Sequence, residues 1–372
     1  MKCKLSDICS FRKGKVEVEN LNAKNYISTE NMLPNKCGIT EASSLPTVSL
    51  TQEYNSGDVL VSNIRPYFKK IWQAEYDGGC SNDVLVFVPK PNTDKDFLYY
   101  VLADDDFFTY SMATSKGTKM PRGDKTSIMQ YEVPLIDLQV QKKIASVLKA
   151  LDERIKLNNE INNNLEQQAQ AIYQQMFIDA PDSNWKTGTL SDIADITMGQ
   201  SPSGSSYNED KEGTIFFQGR AEFGFRFPTI RLFTTEPKRM ACANDTLMSV
   251  RAPVGDLNVA HTDCCIGRGL AAIHSKNNHQ SFVHYTMFSL KKQLDVFNGE
   301  GTVFGSINRN SLNEMPILIP SDEKLDEFES IVAPIDAAIR NNYDEICRLE
   351  QIRDSLLPKL MSGELDVSDI DL

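Results

Sequence analysis

The chain repeats itself at about half its length, and that constrains it more than any motif. LSDICSFRKG, from Leu5, returns as LSDIADITMG, from Leu190, and GDVLVSNIRP, from Gly57, returns as NDTLMSVRAP, from Asn244. Gly117-Thr118 returns as Gly301-Thr302. Each half then passes a Val133-Pro134 or Met315-Pro316 step into a helical segment. There Leu151, Asp152, Ile155, Leu165 and Glu166 match Ile335, Asp336, Ile339, Leu349 and Glu350 at a constant offset. The period is far above that of solenoid repeats. It implies two like domains, each followed by a helix, with pseudo-two-fold symmetry. The bland alternative, an old duplication with no symmetric ligand, must explain why the helices were copied along with the domains.

The helical segments carry their own signal. Residues 138–177 contain no glycine or proline. Apolar residues at Ile144, Leu148, Leu151 and Ile155, then Leu165 and Ile172, follow coiled-coil spacing, with Asn158 at an intermediate seam position. The second copy reads Ile335, Ile339, Asn342, Ile346, Leu349 and Leu356, and Asn342 is the equivalent of Asn158. A buried asparagine weakens a seam but specifies its register. Two arrangements fit: the helices pair with each other, antiparallel, or each packs separately on its own domain. The first is the expectation. Pro334 is expected to start the second helix, with a break before it. The stretch 151–177 would be ~40 Å long at ~1.5 Å per residue, close to one turn of B-DNA, ~34–36 Å.

The fold class is therefore α+β, two mixed domains separated by two long helices in an antiparallel coiled coil. The segments are 1–136, 137–181, 182–320 and 321–372. Short β-rich runs occur at 59–64, 83–88, 214–217, 257–261 and 317–319, and helical patterns at 95–104 and 281–297. The formal charge of −12 argues against a nucleic-acid partner until it is located. Residues 321–372 hold 14 acidic and 5 basic groups, whereas 1–135 hold 17 and 16 and 182–320 hold 14 and 13. The acid excess thus lies in the last helix and tail, which should face protein. A balanced domain can still present a basic face.

Basic residues cluster in loop-like sequence. The first half has Arg65, Lys69 and Lys70 around Tyr67, then Lys116, Lys119, Arg122 and Lys125 around Gly117-Thr118. The second has Arg220, Arg226, Arg231, Arg251 and Arg268. Lysine and arginine suit phosphate, and arginine with glutamine or asparagine suits base edges. Phosphate contacts are expected from Lys69, Lys70, Lys116, Lys119, Arg122 and Arg251. Base contacts are expected from Gln218, Arg220, Arg226 and the loop holding Gly301, Thr302, Ser306 and Asn308.

Catalytic signatures are weak. Gly267-x-Gly269-x-x-Ala272 fits a loose dinucleotide pattern but lacks the following helix and acid. There is no Walker loop and no Asn-Pro-Pro-Tyr or Asp-Pro-Pro-Tyr motif. Glu236-x-Lys238 and Asp322-x-Lys324 lack a partner carboxylate for a metal. The eight cysteines form no Cys-x-x-Cys pair, and His261-x-x-Cys264-Cys265 would point adjacent thiols to opposite faces of a strand. The expectation is no catalytic residue and no metal, in a reducing cytoplasm. No apolar run is long enough for a membrane span.

These residues resemble the specificity (S) subunit of type I restriction–modification systems along essentially the whole chain. The resemblance is carried by DTLMSVRAPVGDLNVA with CIGRGLAAI (245–273), LKALDERIKLNNEINNNLEQQAQAIYQQMF (148–177) and RDSLLPKLMSGELDV (353–367). YISTENMLPNKCGI (26–39) and FFQGRAEFG (216–224) add to it. It implies two target-recognition domains reading a split sequence in double-stranded DNA, with the paired helices as spacer. It also implies docking of two methyltransferase subunits and of ATP-dependent restriction subunits. S-adenosylmethionine, ATP and Mg²⁺ would then belong to those partners, with no cofactor in this chain. The rival readings are an enzyme fused to its own reader and a protein-interaction scaffold with no DNA role.

Overall fold

A computed structural model describes residues 2–299 and 305–367. The chain divides into two compact units, Met1–Leu157 with Glu345–Leu372, and Asn158–Asp344. Each unit therefore contains one globular domain and a part of both long helices.

In the first unit, Lys2–Lys4 pairs antiparallel with Glu132–Pro134. A four-stranded antiparallel sheet follows, in the order Cys9–Phe11, Val84–Pro89, Val59–Ser62, Ile71–Gln73. Its strands are apolar on both faces, and the alternation of side chains sorts them into two cores. Val59, Val61, Leu85 and Phe87 join the helices Lys95–Ala103 and Asp105–Ala113. Leu60, Trp72, Val84 and Val86 join Tyr54 and Cys80, which belong to a second sheet. Asp94 caps the first of those helices, accepting from the amides of Asp96 and Phe97.

The second unit repeats this plan. Lys186–Thr189 pairs with Pro316–Ile319, and the antiparallel sheet runs Ala194–Met198, Leu270–Ser275, Thr246–Ser249, Leu257–Val259. The sorting repeats as well: Met248, Ala271 and Ile273 face one core, and Leu247, Leu270 and Ala272 the other. The expected helix over 281–297 is two helices, Gln280–Ser289 and Lys291–Asp295.

The second sheets diverge. Both contain a parallel pair, Tyr26–Ile27 with Gly78–Cys80 and Thr214–Phe217 with Cys264–Ile266, flanked by an antiparallel strand, Leu50–Tyr54 or Met240–Ala241. In the first unit, Lys15–Glu17 extends the sheet beside Leu50–Tyr54. In the second, Leu232–Thr234 and Tyr207–Asn208 extend it from the opposite edge, beside Thr214–Phe217.

The long helices are Leu138–Tyr173 and Asp322–Ser362. The second does not begin at Pro334 as its sequence suggests. It starts twelve residues earlier and runs through that proline. Pro334 lies on the water-facing side, and Ser330, whose carbonyl loses its amide donor, is also exposed. Phe328, Val332 and Ile339 are fully buried and anchor the helix on both sides of the break in the ladder.

Within each unit the two helices run antiparallel. In the first, Asp152 accepts from Arg353 (2.9 Å) and Arg154 pairs with Glu345 (3.0 Å). In the second, the Asn162 amide donates to the Ile339 carbonyl (3.3 Å) and the Asn342 amide to Asn162 Oδ1 (2.9 Å). The expected pairing is present, and the helices do not pack separately on their own domains: each contributes to the cores of both. Ile144 and Leu148 lie in the first domain's core together with Leu357 and Leu360. Ile172 and Ile335 pack on the second domain's core, and Leu165 and Ile339 on Phe227. Ile155, Asn158 and Ile346 are buried, while Leu151, Leu349 and Leu356 are half-buried.

Candidate nucleic-acid interface

Two basic segments that are far apart in sequence meet in the first domain. Ile64 and Lys116 each form a β-bridge with Arg122. The Arg65 amide donates to the Pro121 carbonyl (2.8 Å), and the Gly123 amide to Asn63 (3.1 Å). Arg65, Tyr67, Lys69, Lys70, Lys116, Lys119, Arg122 and Lys125 are thereby carried on one knot of backbone. Gly117 turns it at φ 94°, a conformation open to glycine, with Thr118 exposed beside it.

A third segment joins them that the sequence reading missed. The amides of Asn35 and Lys36 donate to the carbonyls of Phe68 and Lys69, at 2.8 and 2.9 Å. Lys36 and Lys69 both bind Asp105 (2.8 Å each), which holds its carboxyl below the usual range against the opposing pull of desolvation. The available signal was the turn Pro34-Asn35-Lys36-Cys37-Gly38.

The charges differ in their freedom. Lys116 pairs with Asp124 at 2.7 Å and Arg122 with Asp83 at 3.2 Å, both with the cation exposed. Lys70 donates to the Thr29 carbonyl (2.6 Å), and desolvation lowers its pKa. Lys125 lies over the Phe11 ring at 5.9 Å.

The second domain carries the same knot with different side chains. Arg251 bridges Ser306, Ala252 N donates to Gly305 (3.0 Å), and Ile307 N donates to Val250 (3.1 Å). These are the repeat counterparts of Ile64–Arg122, Arg65–Pro121 and Gly123–Asn63. The short-helix caps repeat too: Asp124 accepts from Ser127 N, and Asn308 from Ser311 N, both at 2.9 Å. Asn308 thus has a capping role, and Gly301 and Thr302 lie outside the described residues.

Gln218 and Arg268 come together through Gly267, whose amide donates to the Phe217 carbonyl at 2.8 Å. A Cβ on Gly267 would sit 2.7 Å from the Gln218 carbonyl oxygen, and one on Gly269 would sit 3.0 Å from it. The two glycines of the dinucleotide-like motif are therefore required by close backbone packing. Gln218, Arg251, Arg268 and Ser306 are exposed. Arg220 pairs with Asp256 (2.7 Å), and Arg231 with Glu222 (3.0 Å).

Arg226 is the correction. Expected at a base edge, it is 5% exposed and wedged between the domain and both helices. It binds Glu166 (3.0 Å), Asp336 (2.5 Å) and His284 Nε2 (2.6 Å). His284 is buried, so desolvation first, and then the guanidinium charge, hold its pKa well below the usual imidazole value. The neutral ring accepts from Arg226, leaving Nδ1–H to donate to Thr246 Oγ1 (3.1 Å). Burial raises the Glu166 pKa, with Arg226 opposing. An arginine held by two carboxylates is not available to DNA.

Among the described residues, no group of three or more His, Cys, Asp or Glu side chains could hold a metal ion, and no helix is long and apolar enough to cross a membrane.

The type I restriction modification DNA specificity domain matches the chain twice, over residues 1–167 and 182–351. This chain belongs to the type I restriction–modification specificity subunit family. The MjaX specificity subunit of Methanocaldococcus jannaschii is similar to it, 29% identical over 84% of this chain and 79% of the relative. The HindI specificity subunit of Haemophilus influenzae is 23% identical over 91% and 94%. The type I restriction–modification S subunit from M. genitalium shares the fold, with a TM-score of 0.63 over 97% and 96% of the two chains at 17% identity. The double match to this family corresponds to the two copies of the backbone knot.

Proposed function

We propose that this chain is the DNA-reading, non-catalytic subunit of a type I restriction–modification complex. Each domain reads one half of a split target in a major groove, where all four base pairs are distinguishable. The shared helices act as the ruler between the halves, and their outer faces, with the acidic C-terminal segment, receive two methyltransferase subunits and the restriction subunits. Those partners would bring S-adenosylmethionine, ATP and Mg²⁺, and the complex would work in the cytoplasm.

The observation that carries this reading is the duplicated knot. Its backbone bonds recur in both domains, but its side chains do not: Ile64, Arg65 and Arg122 give way to Arg251, Ala252 and Ser306. One scaffold with two sets of side chains is what an asymmetric, two-part target requires. The non-catalytic assignment draws support from the acids whose pKa burial raises: Glu166 engages Arg226, Glu329 the Phe282 amide and Asp104 the Asp106 amide, and Glu350 lies in the field of Arg353.

The test is selection of duplexes from a random pool by this chain with its methyltransferase partner. A bipartite consensus is expected. Deleting two heptads from both helices removes ~21 Å at ~1.5 Å per residue, so the gap should shorten by about six base pairs at ~3.4 Å each. An unchanged gap refutes the ruler, and a selection without consensus refutes the reading. Methylation or cleavage by the isolated chain would make it an enzyme.

A further inference from the structure

We propose that Tyr67 and Phe68 form an aromatic wedge that enters the base stack of the half-site bound by the first domain, parting two neighbouring base pairs. The inference rests on the DNA-reading role above and adds to it a deformation of the target.

The turn Pro66–Phe68 is a single 3₁₀ turn bracketed by two non-glycine residues in the left-handed region, Arg65 at φ 50° and Lys69 at φ 49°. Such residues are strained, and strain of this kind persists only where surrounding bonds enforce it. Here they do. The Arg65 amide is tied to Pro121, and the Phe68 and Lys69 carbonyls receive the amides of Asn35 and Lys36. Pro66 is buried beneath. Above it, Tyr67 is 49% and Phe68 38% exposed, with ring centroids 4.6 Å apart. A slack loop would fold two such rings inward, whereas this one is braced to present them.

The setting selects the occupant. The rings stand beside Arg65 and Lys69, the latter paired with Asp105 at 2.8 Å, with the Lys70 ammonium 5.8 Å from the Phe68 centroid. Cations around apolar rings suit a polyanion that can open a gap between flat π faces, as wedge residues do in DNA. The repeat sharpens the point. The equivalent turn in the second domain has Pro253, then Val254, fully buried, then Gly255 at φ 85°. It has no rings to insert. The wedge therefore belongs to one half-site, and it favours an easily unstacked pyrimidine–purine step there, independently of any hydrogen-bonded readout.

The experiment uses the full chain assembled with its methyltransferase partner and duplexes of the selected consensus, with 2-aminopurine placed in turn at each purine position of both half-sites except the base that the methyltransferase flips out to modify and its immediate neighbours. A several-fold fluorescence rise is expected at one step of the first half-site and at none in the second. Y67A/F68A should abolish the rise and weaken binding about ten- to a hundredfold while keeping the consensus at the other positions, and Tyr67→Phe should keep the rise. Specific binding with no rise in the first half-site, or a rise that survives Y67A/F68A, overturns the wedge and leaves the DNA-reading role intact. A double variant that loses the methyltransferase partner instead, with fluorescence unchanged, makes the rings a protein contact and also overturns it. Failure of the wild-type complex to select any consensus removes the DNA-reading role, and the wedge with it.

Discussion

Replacing Arg226 with leucine separates a structural arginine from a base-reading one. The side chain is 5% exposed, and its carboxylate partners Glu166 and Asp336 are 10% and 21% exposed. Removing one member of a buried ion pair costs about 3–5 kcal/mol, because the remaining charge stays desolvated. Asp336 keeps a hydrogen bond from the Tyr285 hydroxyl at 2.9 Å, so most of the uncompensated charge falls on Glu166. The readout is amide exchange in Gln280–Ser289, which carries His284 and Tyr285. At about 1.4 kcal/mol per factor of ten, exchange through unfolding should accelerate by roughly two to three and a half powers of ten. Acid should narrow the gap between the variant and wild type compared at the same pH. The Glu166 pKa is already raised by burial and rises further without Arg226, so the folded variant takes up a proton as pH falls and recovers part of its deficit relative to wild type. R226L/E166Q should recover more than half of the loss at pH 7. The reasoning is refuted if R226L exchanges within about threefold of wild type. If it also loses discrimination of about 1–3 kcal/mol at one base, the arginine reads DNA after all.

Three further outcomes are expected. His284 is neutral in the folded state with its pKa depressed, first by burial and then by Arg226. The second unit should therefore hold its full stability above the unfolded-state pKa of ~6.5 and lose about 1.4 kcal/mol per pH unit below it; exchange protection measured between pH 7 and 5 should show this slope, and His284→Gln should flatten it. Gly267→Ala drives a Cβ into the Gln218 backbone, so it should destabilise the second domain by about 1–3 kcal/mol in thermal unfolding and blur selection at the second half-site; an unperturbed variant would mean that the Gln218 turn is slack. Lys119→Ala and Arg251→Ala should each lower the slope of log Kobs against log salt by about 0.9, and a slope unchanged within error would remove that residue from the phosphate contacts.

The sequence made legible what repeats locally. Offsets of 184 to 187 located both domains, the short β-rich runs became sheet strands, and the 138–177 stretch became a long helix. Arg226 was not legible because Arg220 and Arg231, in the same stretch, look identical to it. Only contact with Glu166 and Asp336, 60 and 110 residues away, distinguishes it. Pro334 misled because local propensity is overridden by packing at Phe328, Val332 and Ile339. Gly267 and Gly269 looked chemical because spacing alone cannot separate a phosphate cradle from a tight backbone crossing.

The ionic clusters between each domain and the helices show what duplication preserves. Tyr100 donates to Asp152 at 2.7 Å in the first unit, and Tyr285 to Asp336 at 2.9 Å in the second. Both aspartates are repeat equivalents, as are Glu350 and Glu166. The arginine that meets each cluster is not. In the first unit it is Arg353, supplied by the C-terminal helix, and in the second it is Arg226, supplied by the domain. The acceptors keep their place on the helices while the donor changes its element of origin. This follows from the physics of the site: a desolvated carboxylate demands a cation within hydrogen-bond reach, but it does not specify which backbone delivers it. A search for repeated residues finds the acids and the tyrosines and passes over both arginines. For the same reason the second sheets could add strands at opposite edges without disturbing the four-stranded sheets beneath. The constraint lies in the shared core and its polar anchors, and the exposed edges and knots are left free to differ.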